Sequence, residues 1–281
     1  MHIFFGLASA VAFGASDFSG GLASRRNTAL VVTLWAQLLA VLVVAVSTLA
    51  ISGEATQRDV LLAVAAGVSQ VLGLVLLYRV LSEGGMGILT TVASVVAAIG
   101  TLGWALGTGE RLSLLSAVGV MTGLAAVTLA TRPPASSHEV THHRSLLVIA
   151  ALAGVLFAIG NAFIGSFSST SGMDAVLVLR MASAGTLVIF WLCRRQSQAG
   201  SFVPVADRAL IAVTGVCSAV GGMSFFLGVQ TGTLGIVGVL MSLAPLDTAL
   251  LARLFLHQRL TRAHMSAVGL AVVTVAFLSV G

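Results

Sequence analysis

Two charged residues lie deep inside apolar segments of this sequence, and they are its first candidates for chemistry. Arg180 and Asp247 stand far from the ends of their apolar runs, and a charge at the centre of a bilayer costs at least about 2.5–3.5 kcal/mol. Asp247 follows Pro245, which removes a backbone donor and can kink a helix. The carboxylate could hold a proton or bind an amine, whereas the planar guanidinium suits a carboxylate or phosphate group. The structural alternatives are an ion pair between the two residues or hydrogen bonds to neighbouring helices.

Two further polar residues interrupt the apolar runs. Asn161, beside Gly160, is an amide that must find a partner when buried, either in a binding site or as a hydrogen bond between helices. Asp17 comes late in the first apolar run, between Ser16 and Ser19. We consider Asp17 a second candidate for ion coupling, and simple solvation at a membrane face is the alternative.

Aromatic residues could provide stacking surface for a small solute. The candidates are Trp35, Tyr78 and Trp104, with Gln37, Gln70 and Gln230 as polar companions. The competing interpretation is anchoring, because Trp and Tyr concentrate at membrane–water interfaces and Tyr78 adjoins Arg79 at the end of a run.

Residues 138–142 spell His-Glu-Val-Thr-His, the H-E-x-x-H pattern in which two histidines bind zinc and the glutamate acts as a base. That mechanism needs a stable helix and a third ligand. Here the pattern follows Pro-Pro-Ala-Ser-Ser, and no evident ligand follows it. We therefore expect a solvated loop, with no metal and no cofactor.

Composition indicates a chain with several membrane spans. Of its 281 residues 58% are hydrophobic and only 8% charged, and the mean hydropathy is +1.08, so one soluble core could not bury this much apolar surface. All 14 basic residues are arginine, and the absence of lysine excludes a Walker A loop and Schiff-base chemistry. We therefore expect neither an ATP-driven pump nor an enzyme. The predicted spans are 2–22, 29–51, 59–79, 85–107, 112–130, 146–168, 173–193, 208–230, 233–255 and 261–281.

The two halves of the sequence resemble each other. Residues 87–119 repeat in 234–269 at a shift of about 148, and the first two spans repeat at a shift of 145. The predicted organisation is a five-helix repeat over 1–130, a linker over 131–145 and a second five-helix repeat over 146–281. Because five is odd, the second copy enters the bilayer from the opposite face, which predicts an all-α inverted repeat with a binding site near the midplane. Transport of a small molecule is the function that this architecture favours.

Arginine placement predicts the orientation. The loops after the odd-numbered spans hold ten arginines, whereas the other loops hold only Arg58 and Arg111. By the positive-inside rule the first set of loops is cytoplasmic, and both termini face outward. The pI near 10.9 thus reflects orientation in a lipid bilayer and not binding to nucleic acid.

Several segments together resemble the ten-helix EamA-like transporters of the drug/metabolite transporter (DMT) superfamily over the whole chain. The segment from Ala244-Pro245-Leu246 through Arg259-Leu260-Thr261 is similar to the family's proline and its "GERLT"-like closing motif, and residues 109–113 repeat that motif in the first half. The Gly160-Asn161 pair and Arg180 in the next helix also resemble residues of the family. The halves have diverged, since Gln258 replaces the motif's Glu, Trp35 aligns with Arg180, and Ala97 aligns with Pro245. The resemblance implies export or import of small metabolites, such as amino acids, across a bacterial inner membrane without ATP, and of the two directions we expect export.

Three other functions remain open at this point. An uncoupled facilitator of the same fold would ignore an imposed pH gradient, whereas a secondary transporter with the proton as coupling ion would respond to it. An intramembrane metalloprotease would use residues 138–142 and bind zinc. A membrane scaffold without transport would not need Arg180.

Overall fold

The computed structural model describes residues 1–82, 86–130, 144–194, 205–256 and 262–280. These residues form eleven α-helices joined by short connections, with no strand among them. The helices are α1 (His2–Ser24), α2 (Ala29–Thr48), α3 (Gln57–Ser82), α4 (Met86–Gly107), α5 (Leu114–Ala130), α6 (Arg144–Gly165), α7 (Gly172–Arg194), α8 (Val205–Thr231), α9 (Leu234–Met241), α10 (Ala244–Leu256) and α11 (Arg262–Val280).

The helices have the length and composition of membrane spans. Eight stretches of the described chain are long and apolar enough to cross a bilayer, one of them being Leu234–Phe255, which α9 and α10 share. Two further apolar helices, Leu114–Leu129 and Ser266–Val280, are shorter. The prediction of an all-α, multi-pass membrane protein is therefore confirmed, while the count of ten spans remains a prediction.

The span that contains Asp247 is interrupted. Helix α9 ends at Met241, Ser242 and Leu243 form a turn, and α10 begins at Ala244. Pro245 occupies the first turn of α10, where its missing N–H leaves no hydrogen bond unmade. The Leu246 N–H donates to the Leu243 carbonyl at 2.8 Å, which closes the turn. The kink predicted at Pro245 is thus a complete break in the helix.

Helices from the first half of the chain pack mainly on helices from the second half. The most extensive contacts are those of α1 with α8, α5 with α11, α3 with α6, and α4 with α6. Glycine allows the close approach of α3 to α7 and of α8 to α2. A side chain at Gly67 would overlap the Leu179 carbonyl oxygen, and one at Gly215 would lie 2.7 Å from the Ala36 carbonyl oxygen.

The largest apolar cluster lies at one end of the helices. We call the side that carries the α2–α3 and α6–α7 connections the α2–α3 face, and the opposite side the α1–α2 face. The cluster joins late α2 (Ala40, Val44), early α3 (Ala63, Ala66), the connection after α6 (Phe167), early α7 and late α8. It therefore fills the space between the helices on the side of the α2–α3 face.

Candidate functional site

A cavity of about 120 Å³ lies among the helices, next to this apolar cluster. Helices α1 to α4 and α6 to α10 all contribute to its wall. Its polar residues are Ser16, Asp17, Gln37, Gln70, Thr90, Ser94, Asn161, Arg180, Ser218 and Ser242. Phe13, Phe157 and Met241 supply apolar surface. A cavity of mixed character, apolar with a few convergent polar groups, is typical of a small-molecule site.

Arg180 forms one side of the cavity and is only 4% exposed. Its Nη1 donates to Gln37 Oε1 at 3.3 Å and to Ser218 Oγ at 3.2 Å, and its Nη2 donates to the Ser218 carbonyl oxygen at 2.5 Å. These bonds join α7 to α2 and α8 and fix the direction of the guanidinium. Ser218 is a residue of the candidate site that the sequence did not reveal, because it lies on another helix, 38 residues away.

The charge of Arg180 has no carboxylate partner in the described part of the chain. The ion pair found there joins Arg26 and Asp207 near the α1–α2 face, so the alternative of an Arg180–Asp247 ion pair is wrong. The buried Arg180 Nε has no hydrogen-bond partner among the described residues. A buried donor without a partner is costly, and a buried charge normally is paired. Arg180 therefore gives the cavity wall a fixed positive charge, which could pair with an anionic group.

Asn161 also lines the cavity and is 2% exposed. Its Oδ1 accepts a hydrogen bond from Gln70 Nε2 at 3.3 Å, and its Nδ2 donates to Thr101 Oγ1 at 3.2 Å. Asn161 thus ties α6 to α3 and α4 while facing the cavity. Both interpretations from the sequence, site residue and interhelical bond, are compatible with this position.

Asp17 borders the cavity from α1. Its carboxylate accepts no hydrogen bond from any described residue, although its neighbours are well bonded. The Ser16 hydroxyl donates to the Thr214 carbonyl oxygen at 3.1 Å, and the Ser19 and Thr214 hydroxyls lie 2.9 Å apart. Asp17 is therefore an ionisable group with free hydrogen-bonding capacity on the cavity wall.

The remaining predicted residues lie outside the cavity lining. Asp247 is half-buried on α10, where its Cβ packs against α1 at Gly14. Trp35 and Trp104 are 51% and 45% exposed on the outer surface of the bundle. Tyr78 is fully buried, and its hydroxyl, which has no hydrogen-bond partner among the described residues, packs against Gly20.

Glu110, in the connection between α4 and α5, caps the first turn of α9. The Glu110 carboxylate accepts the Leu234 N–H at 2.7 Å and the Gly235 N–H at 2.9 Å. An acidic group at this position also interacts favourably with the helix dipole. This bidentate cap fixes the start of the broken span relative to the α4–α5 connection.

Two predicted features lie outside the described residues. They are the histidine pattern at 138–142 and the closing motif around Gln258 to Thr261.

Comparison with known proteins gives three findings. A family model described as the EamA-like transporter family matches residues 144–280. No curated protein matches the chain. A solved structure described only as "Crystal structure of protein" has a TM-score of 0.71 at 16% identity, and the match covers 97% of this chain and 96% of that chain. At this identity the last match establishes a similar fold and nothing more.

Proposed function

Because the chain belongs to the EamA-like transporter family of the DMT superfamily, we propose that it is a secondary transporter of small metabolites. The transported solute would bind in the central cavity, and the two halves of the chain would open it to each side in turn. The observation that carries this proposal is Arg180, a buried, permanently charged residue that lines the cavity and has no carboxylate partner among the described residues.

The proposed architecture is two inverted five-helix repeats of ten spans, 1–130 and 146–281, joined by a linker over 131–145. This architecture is supported by the packing of corresponding pairs of helices. Under the repeat α1 corresponds to α6 and α3 to α8, so the α1–α8 and α3–α6 contacts are equivalent, and both are extensive. The close approaches at Gly67 and Gly215 are equivalent as well. Inverted repeats of this kind place the binding site where the halves meet.

The substrate class that fits the cavity is amino acids or related compounds. Arg180 would attract the carboxylate through the charge of its guanidinium, and Asp17 would attract the amino group. Phe13, Phe157 and Met241 would contact an apolar side chain. Gln37 and Asn161 would contribute polar contacts from the same wall. Stacking on Trp35, Trp104 or Tyr78 stays a prediction, and these three residues would have to act away from the cavity described here.

We further propose export through a bacterial inner membrane, with both termini outside the cytoplasm. The proton is the proposed coupling ion, and its carrier would be Asp17 or Asp247. Asp17 is favoured because it lines the cavity together with Arg180, so protonation and substrate binding could influence each other directly.

The test is efflux of labelled amino acids from proteoliposomes with and without an imposed pH gradient. The native protein should move at least one solute, and Arg180→Met should lose that flux while the protein remains folded. Arg253→Met, at an exposed arginine of α10 outside the cavity lining, is the matched control and should keep the flux. Equal flux in Arg180→Met and in the native protein would refute the proposed site. Flux that ignores the pH gradient would identify an uncoupled facilitator instead.

A further inference from the structure

Two acidic side chains occupy equivalent positions in the two halves of the chain. Asp59 lies in the first turn of α3, and Asp207 lies in the first turn of α8, 148 residues later. This separation equals the shift that relates the repeats. Both side chains are almost completely buried, at 1% and 2% exposure. Because α3 and α8 start on opposite faces of the bundle, Asp59 lies near the α2–α3 face and Asp207 near the α1–α2 face.

Asp59 links the first half of the chain to the second. Its carboxylate accepts the Ser168 N–H at 2.8 Å and the Ser168 hydroxyl at 2.6 Å. Ser168 belongs to the connection that follows α6, the first helix of the second half. The same carboxylate accepts the Thr56 N–H and hydroxyl at 3.0 and 2.7 Å. Four charge-assisted hydrogen bonds thus converge on this one side chain.

Asp207 makes the corresponding link at the other face. It accepts Asn27 Nδ2–H at 3.0 Å, and its Oδ1 lies 3.5 Å from Nη1 of Arg26. Asn27 and Arg26 belong to the connection that follows α1, the first helix of the first half. Each aspartate therefore joins the third helix of one half to the end of the first helix of the other half.

The two links differ in strength. The Asp59 link uses shorter bonds, and neighbouring bonds reinforce it, because Glu54 N–H donates to the Thr170 carbonyl oxygen at 2.8 Å and Gly53 N–H donates to Asp174 at 3.2 Å. At the other face, the Arg26 side chain is 70% exposed, and exposed ion pairs contribute little.

We infer that Asp59 and Asp207 are paired latches, each of which holds the two halves together at one face and must release before the cavity opens there. Both latches are closed in this structure. The stronger Asp59 latch, backed by the apolar cluster, favours conformations closed at the α2–α3 face. This inference rests on the proposed alternating opening, although its test measures conformation and not transport.

The test uses two buried reporter positions that are also related by the repeat. Ala63→Cys lies one turn after Asp59, and Ile211→Cys lies one turn after Asp207, with 0% and 6% exposure of the native residues. Each reporter is placed in a background in which Cys193 and Cys217 are serine. The purified protein is reacted in nanodiscs, where both faces are accessible, with a polar maleimide, and the labelling rates are compared.

Asp59→Asn should raise the labelling rate of the Ala63→Cys reporter at least tenfold and lower the rate of the Ile211→Cys reporter. Asp207→Asn should do the reverse. Ser168→Ala removes the Asp59 bonds from the other side and should reproduce the Asp59→Asn result if that variant folds poorly. Glu54→Gln, at the same face, is the control and should leave both rates unchanged, because the Glu54 side chain bonds none of the described residues.

Opposite changes at the two reporters would support paired latches. A rise confined to the nearby reporter would mean local loosening and would overturn the inference, as would unchanged rates or equal rises at both. If the native protein moved no solute but the two reporters still changed in opposite directions, the proposed transport would be refuted and the inference of paired latches would stand.

Discussion

Gly222 on α8 leaves the space that the Arg180 guanidinium occupies. A methyl group at this position would overlap Arg180 Nη2 and would lie 3.2 Å from Arg180 Cζ. The neighbouring atom is the end of a flexible side chain, so Gly222→Ala should fold and should move the guanidinium instead of the helix. The perturbation thus tests the position of the charge without removing it.

The expected loss of affinity for the solute follows from the hydrogen bond that Gly222→Ala would break. Moving Nη2 away breaks its 2.5 Å hydrogen bond to the Ser218 carbonyl oxygen. A hydrogen bond to a charged group contributes about 1.5–3 kcal/mol, and about 1.4 kcal/mol corresponds to a factor of ten. If the bound solute depends on the present direction of the guanidinium, its affinity should fall roughly 10-fold to 100-fold.

The assay is solute binding to purified protein, followed by efflux from proteoliposomes. Gly185→Ala is the matched control, because a methyl group at Gly185 on α7 would have no neighbour within 4 Å. This control should keep its affinity and could gain stability of about 0.5–1 kcal/mol from the better helix propensity of alanine. If a structure of Gly222→Ala showed that the guanidinium had moved and the variant still bound the solute with native affinity, the assigned role of Arg180 would be refuted.

Three further predictions follow from the same contacts. Asp17→Asn should abolish the response of solute flux to a pH gradient, whereas Asp247→Asn should keep it, because only Asp17 lines the cavity; the reverse result in proteoliposomes would make Asp247 the coupling residue. Glu110→Gln should lower the thermal unfolding midpoint by a few degrees, since the α9 cap loses its charge and one of its two acceptor oxygens for backbone N–H groups. Glu54→Gln is its control, and equal midpoints in a thermal scan would contradict the capping role. A reporter that is active only in the cytoplasm, fused after Gly281, should be silent, and activity would contradict the predicted orientation.

The sequence was sufficient to predict most of the helices and part of the site. A run of about 20 apolar residues has few options in a bilayer, because the backbone must satisfy its own hydrogen bonds. Pro245 predicted a kink near Asp247, whereas the structure has a complete break between Met241 and Ala244. Arg180, Asn161 and Asp17 were identified because polar groups in such runs are costly, and Gln37 was named as a polar companion of the aromatic candidates. All four line the cavity.

Other features depended on which helices meet. Asp247 has the same local signal as Arg180, yet it packs toward α1 at Gly14 and outside the cavity. Trp35 and Trp104 could have faced inward or outward, and the packing of their helices leaves them exposed. Nothing in the local sequence around Ser218 marks it as the partner of Arg180.

The sequence by itself indicated which segments are long and apolar enough to cross a bilayer and which polar residues interrupt them, because these are properties of single segments. Only the tertiary structure decided that Arg180 has neutral partners and that Asp59 and Asp207 join opposite halves of the chain. The physical reason is that hydrogen bonding acts over about 3 Å, and the residues that come within that distance are set by the packing of helices far apart in sequence.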